Sequence, residues 1–102
     1  VLALRPNCEL CDRDLPPAAP DARICSYECT FCADCVRDVL HDVCPNCGGG
    51  FVPRPIRPQH AWRPETGLQH DPPDPHRRSL RYSMDDVHAL TTRLEHVPPP
   101  DR

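Results

Sequence analysis

The sequence predicts a small α+β fold with little apolar core, followed by an extended arm, and three features predict it. All eight cysteines of the 102-residue chain fall between Cys8 and Cys47, in four close pairs. Aromatic residues make up only 5% of the chain, too few to help the scattered aliphatic side chains build a large interior. Ten of the 15 prolines and five of the six histidines lie after Gly50. The first half is therefore expected to fold around its sulfurs as a metal-stabilised α+β module, and the second to be extended.

The pairs are Cys8/Cys11, Cys25/Cys29, Cys32/Cys35 and Cys44/Cys47. Two or three residues between cysteines let a tight turn aim both sulfurs at one tetrahedral Zn2+, at about 2.3 Å. Each pair is thus half of a site, and the eight thiolates predict two closed four-sulfur zinc sites. A closed site leaves no position for water or substrate, so the metal's part is structural. Structural zinc contributes about 10–16 kcal/mol per site in small peptides, and here it would replace the missing core.

The elements follow in order. The first knuckle holds Cys8 and Cys11. Residues 22–31, "ARICSYECTF", set Ile24 and Phe31 around two ligands in a stretch suited to a short hairpin or a pair of turns. Residues 33–42, "ADCVRDVLHD", read as a helix, because Val36, Val39, Leu40 and Val43 make one apolar stripe, with Pro45 as its stop. The second knuckle holds Cys44 and Cys47. Knuckle, hairpin, helix and knuckle together make a treble-clef type of zinc fold.

Two assignments of half-sites to ions are open. The interleaved one joins Cys8, Cys11, Cys32 and Cys35, and separately Cys25, Cys29, Cys44 and Cys47. The sequential one joins Cys8, Cys11, Cys25 and Cys29, then Cys32, Cys35, Cys44 and Cys47. Interleaving is preferred because it ties both ends of the module to its middle and closes two long loops. His41, three residues before Cys44, reads as a solvated residue at the negative end of a helix and not as a ligand.

The module is expected to occupy residues 1–52. Residues 53–82 read as a Pro/Arg-rich flexible linker, with prolines at 53, 55, 58 and 64 favouring polyproline II backbone and Trp62 as a possible docking anchor. Over 83–97 an amphipathic helix is expected. Ser83 with Asp86 three residues on is close to a capping box, and Met84, Val87, Leu90, Thr91, Leu94 and Val97 form a narrow stripe. Pro98 to Pro100 are its stop, and 98–102 is expected as a disordered tail. Such a helix is marginal alone and needs a surface to fold against.

The net charge of −3 is a poor footprint for nucleic acid, which needs a cationic surface to release counterions. No stretch approaches the roughly 18 apolar residues of a membrane span. "VLALRPNC" lacks the basic and apolar regions of an export signal, which points to a reducing cytoplasm and to metal-binding thiolates over disulfides. Redox catalysis by Cys-x-x-Cys would need a βαβ setting that the pattern does not supply.

The eight ligands and their gaps are similar to a RING-type cross-brace domain, in the variety whose ligands are all cysteine. Leu10 before the second ligand, a helix after the sixth and Pro45 after the seventh agree. In ubiquitin-ligase RINGs, which these features resemble, such positions grip a conjugating enzyme, and the resemblance implies Leu10, Val39 and Pro45 as that surface. Gly48 stands where active ligases usually carry Arg or Lys, and Val36 where an aromatic is common, which weakens the ligase inference. "LRPNCELCDRDLPP", "DARICSYECTFCADC" and "CPNCGG" resemble more closely a bacterial family of small cysteine-rich proteins, the domain of unknown function 1272 group. That resemblance implies a prokaryotic cytoplasmic protein.

The function these readings imply is a non-enzymatic, two-zinc module that serves as a protein-interaction adaptor, touching an unidentified protein partner near Leu10, near Pro45 and through the 84–97 helix. The alternatives are a ligase-like scaffold for modifier transfer and a zinc-ribbon nucleic-acid binder using Arg54, Arg57, Arg63, Arg77, Arg78 and Arg81.

Overall fold

The first knuckle closes on itself, as its spacing requires. A computed structural model describes residues 1–102. In it the Cys8 N–H donates to the Arg13 carbonyl (2.9 Å) and the Asp12 N–H to the Cys8 carbonyl (2.9 Å). Asp12 takes the left-handed conformation (φ 65°) that so tight a return demands. An isolated antiparallel bridge between Asn7 and Asp14 clamps the base of the loop.

The stretch suited to a hairpin forms one. Strand β1 (Ala22–Ile24) pairs antiparallel with β2 (Thr30–Cys32), with Ala22 opposite Cys32 and Ile24 opposite Thr30. The loop between them turns at Glu28 (φ 66°), whose N–H donates to the Cys25 carbonyl. A two-residue strand, β3 (Val52–Pro53), adds to the other edge of β1, giving the order β2-β1-β3. It straddles the module boundary expected at residue 52.

The helix after the hairpin is shorter and wider than the stripe predicts. One α-helical turn, α1 (Ala33–Cys35), runs directly into a π-helical segment, Val36–Leu40. Positions five apart diverge on a regular α-helix, whereas i→i+5 bonding brings them to one face. Here that puts Cys35 and Leu40 together in the interior while Arg37 and Asp38 stay exposed. The expected stop at Pro45 is corrected: the helix ends at Leu40, because His41 and Asp42 are both left-handed (φ 48° and 62°). The Asp42 carboxylate then accepts the Phe51 N–H at 2.9 Å, fixing the exit of the second knuckle.

The core is small. Phe31, Leu15, Leu40 and Ala22 are buried among six of the cysteines, and Phe31 meets Phe51 edge-on with ring centres 5.5 Å apart. Two charged side chains, Glu9 and Arg54, also belong to the interior. Arg54, only 4% exposed, donates to the carbonyls of Arg5 (2.8 Å), Leu15 (3.0 Å) and Pro16 (2.9 Å). Its guanidinium fork fits three carbonyls converging from the first loop, so it staples the start of the arm to the module.

Beyond β3 the stretch expected as a flexible linker has no helix or strand until α2, and it lies along the module. The Asp74 N–H donates to the Leu4 carbonyl (3.0 Å) and the Leu80 N–H to the Glu9 carbonyl (3.0 Å). Asn7 exchanges a pair of hydrogen bonds with the Arg78 backbone, and Arg77 pairs with Asp12 and Asp14. Trp62 is 75% exposed, with only His60 stacked edge-on against it.

Helix α2 (Met84–Leu94) begins where the capping signal places it, with Ser83 Oγ accepting the Asp86 N–H at 3.1 Å. It stops three residues short of the expected 97, with the Val97 N–H turned back to the Leu94 carbonyl. Val87 and Thr91 are buried and Leu90 and Leu94 half-buried, whereas Met84 lies outside the contact. The tail expected as disordered forms a 3-10 turn, Pro99–Asp101, and Arg102 donates to the carbonyls of Asp42 (2.8 Å) and Gly48 (3.0 Å). No helix is long and apolar enough to cross a membrane.

Candidate metal centre

The fold brings the sulfurs into two groups. Cys8 and Cys11 come from the first knuckle, Cys32 from the end of β2 and Cys35 from α1, and their four sulfurs lie within 4.8 Å of one another. Cys25, from the hairpin loop, meets Cys44 and Cys47 of the second knuckle within the same distance. These groupings are those of the interleaved assignment and cut across the sequential one. Cys29 stands outside that radius, yet its thiol shares a hydrogen bond with Cys25, and it is buried beside the second group. All eight are free thiols.

Why two groups form where they do follows from the hairpin. Adjacent residues on a strand face opposite ways, and the β2-to-α1 corner sends Cys32 and Cys35 toward the first knuckle. The loop at the other end of the same hairpin sends Cys25 toward the second. One two-stranded element therefore braces both groups.

Burial and mutual hydrogen bonding set the thiols of each group against one another. In the second, a hydrogen bond from Cys44 holds Cys25 down to about 5, while Cys44 itself is pushed far up by that same bond and by burial. In the first, burial pushes Cys8 and Cys35 up. Burial acts against Cys11 too, but the Arg13 N–H and the thiols of Cys8, Cys32 and Cys35 together bring it below its usual value. One thiolate per group is thus stabilised by protonated neighbours, because several negative sulfurs cannot share so small a space uncompensated. A divalent soft-acid cation removes that conflict, and the all-thiolate donor set fits zinc or iron. The residues present therefore fit the expected metal, with backbone N–H groups also turned to sulfur: Tyr27 to Cys25 (3.3 Å) and Gly49 to Cys47 (3.4 Å).

Three supporting residues escaped the reading of the sequence. Glu9, 7% exposed, accepts the Thr30 N–H (2.8 Å) and the Asn46 amide (3.2 Å) and pairs with Arg5 (3.4 Å). Asn46 in turn hydrogen-bonds the Cys29 thiol and pulls it downward against the larger upward effect of burial. Asn7 ties the first knuckle to Arg78. Each sits next to a ligand position or between two, which is the only signal the sequence offers. His41 is not part of either group; it is half-exposed and bonded to Glu95 at 2.9 Å.

Of the contact surface expected from Leu10, Val39 and Pro45, Pro45 is buried beside Leu90 and Leu94 of α2, and Leu10 and Val39 are half-buried against the core. Of the six basic residues expected to face nucleic acid, four are engaged within the chain, while Arg63 bonds only the adjacent Trp62 carbonyl. Arg54, Arg57, Arg77 and Arg78 all bond to other parts of the chain itself.

The structure is that of a small, cysteine-rich α+β module with two cysteine groups able to hold metal. The chain belongs to the family described as "Protein of unknown function (DUF1272)", whose profile matches residues 1–57. It is also similar to an uncharacterized protein of Rhizobium meliloti (strain 1021), with 64% identity over 58 residues, covering 57% of this chain and 69% of the relative. No solved structure matches this chain.

Proposed function

We propose that the protein is a non-enzymatic adaptor whose cysteines hold two structural Zn2+ ions, Cys8, Cys11, Cys32 and Cys35 around one and Cys25, Cys29, Cys44 and Cys47 around the other. The single observation that carries this reading is the pair of sulfur groups formed from four interleaved half-sites. Interleaving makes each ion a long-range crosslink. It therefore supplies the cohesion that a core of so few apolar residues lacks. With all four positions of each ion filled by thiolate, the metal would bind no substrate, and the product of the fold is a rigid surface.

Elemental analysis of protein purified without added metal tests the first part: two equivalents of zinc are expected, and less than one overturns it. The adaptor role is tested by crosslinking in living cells. Recovery of no protein enriched over a cysteine-substituted control overturns it.

The interleaved grouping favours one second reading, a RING-like scaffold that promotes transfer of a small modifier, since a cross-brace has this connectivity. A reconstituted conjugation assay with no stimulation by the purified protein disposes of it.

A further inference from the structure

Helix α2 is seated on the second knuckle. Leu90 and Leu94 line a groove with Pro45 and Gly48, and Val87 joins the apolar cluster that contains Leu40 and Cys44. Gly48 makes the close approach possible: a Cβ there would stand 3.1 Å from Leu94 Cδ1. One residue past the helix, Glu95 meets Nδ1 of His41 at 2.9 Å. The knuckle side of the groove is thus Pro45, Asn46, Cys47 and Gly48, and His41 presents an imidazole beyond one end. What fits it is a helix with apolar side chains at i, i+3 and i+7 and a carboxylate at i+8.

Two observations mark this pairing as exchangeable. At 11 residues α2 is too short to be stable by itself, so it is helical because it is docked. His41, Pro45 and Gly48 all lie inside the region that defines the family, residues 1–57, whereas every residue of the helix that fills the groove lies outside it. The floor of the groove thus lies within the matched module, and its occupant is carried on the 30 residues, 54–83, between β3 and α2.

We infer that this groove is the docking site for an acid-ended amphipathic helix of a partner protein, and that α2 occupies it in cis as a built-in cover. The inference rests on the adaptor reading and names its surface. A tethered helix competes at millimolar effective concentration, so only a partner helix of matching pattern gains entry, or one that arrives when the cover is released.

The test uses the full chain. The double substitution Leu90→Asp with Leu94→Asp releases the cover, and metal content and amide dispersion report whether the module stays folded. The probe is a fluorescent peptide of residues 80–102. At least tenfold tighter peptide binding by the released protein than by the unaltered one is expected. Glu95→Arg in the peptide should weaken that binding, and His41→Glu in the released protein should restore it. Equal binding by the two proteins, or none by a released protein that keeps both metals, overturns the inference. Glu95→Arg in the full chain is run beside the double variant as a milder release. A misfolded double variant therefore still leaves a decisive measurement. Crosslinking that finds no partner while the peptide still binds overturns the adaptor role and leaves the groove standing.

Discussion

The two sulfur groups are built from the same parts yet closed to different degrees. In the first, all four sulfurs already lie within 4.8 Å of one another; in the second, three do and Cys29 stands apart. The difference traces to what holds the ligands. Cys32 and Cys35 of the first group sit on β2 and α1, whose backbones are fixed by pairing and helix bonds. Cys25 and Cys29 of the second sit at the two ends of a five-residue loop closed by bonds of 3.1–3.2 Å. Regular elements pre-organise a site, and a loop leaves more of the ordering to the ion.

The largest effect that would break this comparison is at the first group. Replacing Cys35 with Ser should remove that ion and with it about 10–16 kcal/mol, more than a small module can lose, so the amide spectrum should collapse. Survival of a dispersed spectrum with one equivalent of metal would reverse the ranking of the two sites. Cys29→Ser should do less, leaving three sulfurs and a folded chain whose second ion is lost first to a chelator.

A step smaller are the residues that hold ligands without touching metal. Asn46→Ala removes the amide that links Cys29 to Glu9, and should weaken the second ion by about 10–100-fold while sparing the first. Competition with a chromophoric chelator, resolved into two phases, reads this directly. A single unchanged phase would mean that Asn46 merely fills space.

Those supporting contacts mark the limit of what the chain's own order discloses. Half-sites are legible because a knuckle is local: two cysteines and a turn within a few residues announce themselves. Partners are less so, and interleaving had to be preferred on loop topology before the geometry grouped the sulfurs. The hairpin and the Ser83 cap were legible for the same local reason. Three other features were not. The π-helical turn at Val36–Leu40 keeps an α-like stripe, so its wider winding leaves no mark on the periodicity. The early stop arises from left-handed His41 and Asp42, neither of them the glycine that usually signals one. The placement of the arm depends on Arg54, Asn7 and Arg77 bonding to backbone and acids tens of residues away, and no periodic pattern encodes such contacts.

Next in size is the packing of α2 on the second knuckle. Val87→Ala deletes about two buried carbon groups and should cost about 2 kcal/mol, felt by the helix and its neighbours and little by the first sulfur group. Ser83→Ala removes the cap and should cost about 1 kcal/mol of helix stability. Hydrogen exchange along residues 84–94 should rise in both variants while the β1–β2 amides hold, because the hairpin contributes to both sulfur groups, one at each end. Equal loosening of hairpin and helix would show that module and cover form one cooperative unit.

The smallest expected effect is the pH response of the His41–Glu95 contact. Its hydrogen bond to Glu95 raises His41 above the ordinary 6.5, and the same bond lowers Glu95 below the ordinary 4.5. A raised imidazole contributes stability that is complete below 6.5 and fades as pH climbs through its folded value. A lowered carboxylate contributes stability that is complete above 4.5 and fades as pH falls through its folded value. Docking of α2 should therefore be tightest between about pH 4.5 and 6.5 and loosen slightly toward neutrality, provided the thiolates keep their metal at the acid end. Both groups are solvent-accessible, so salt should flatten the response. An NMR titration of His41 in the native chain and in Glu95→Gln reads the shift, and identical titration curves would remove the contact from the account of why the cover stays closed.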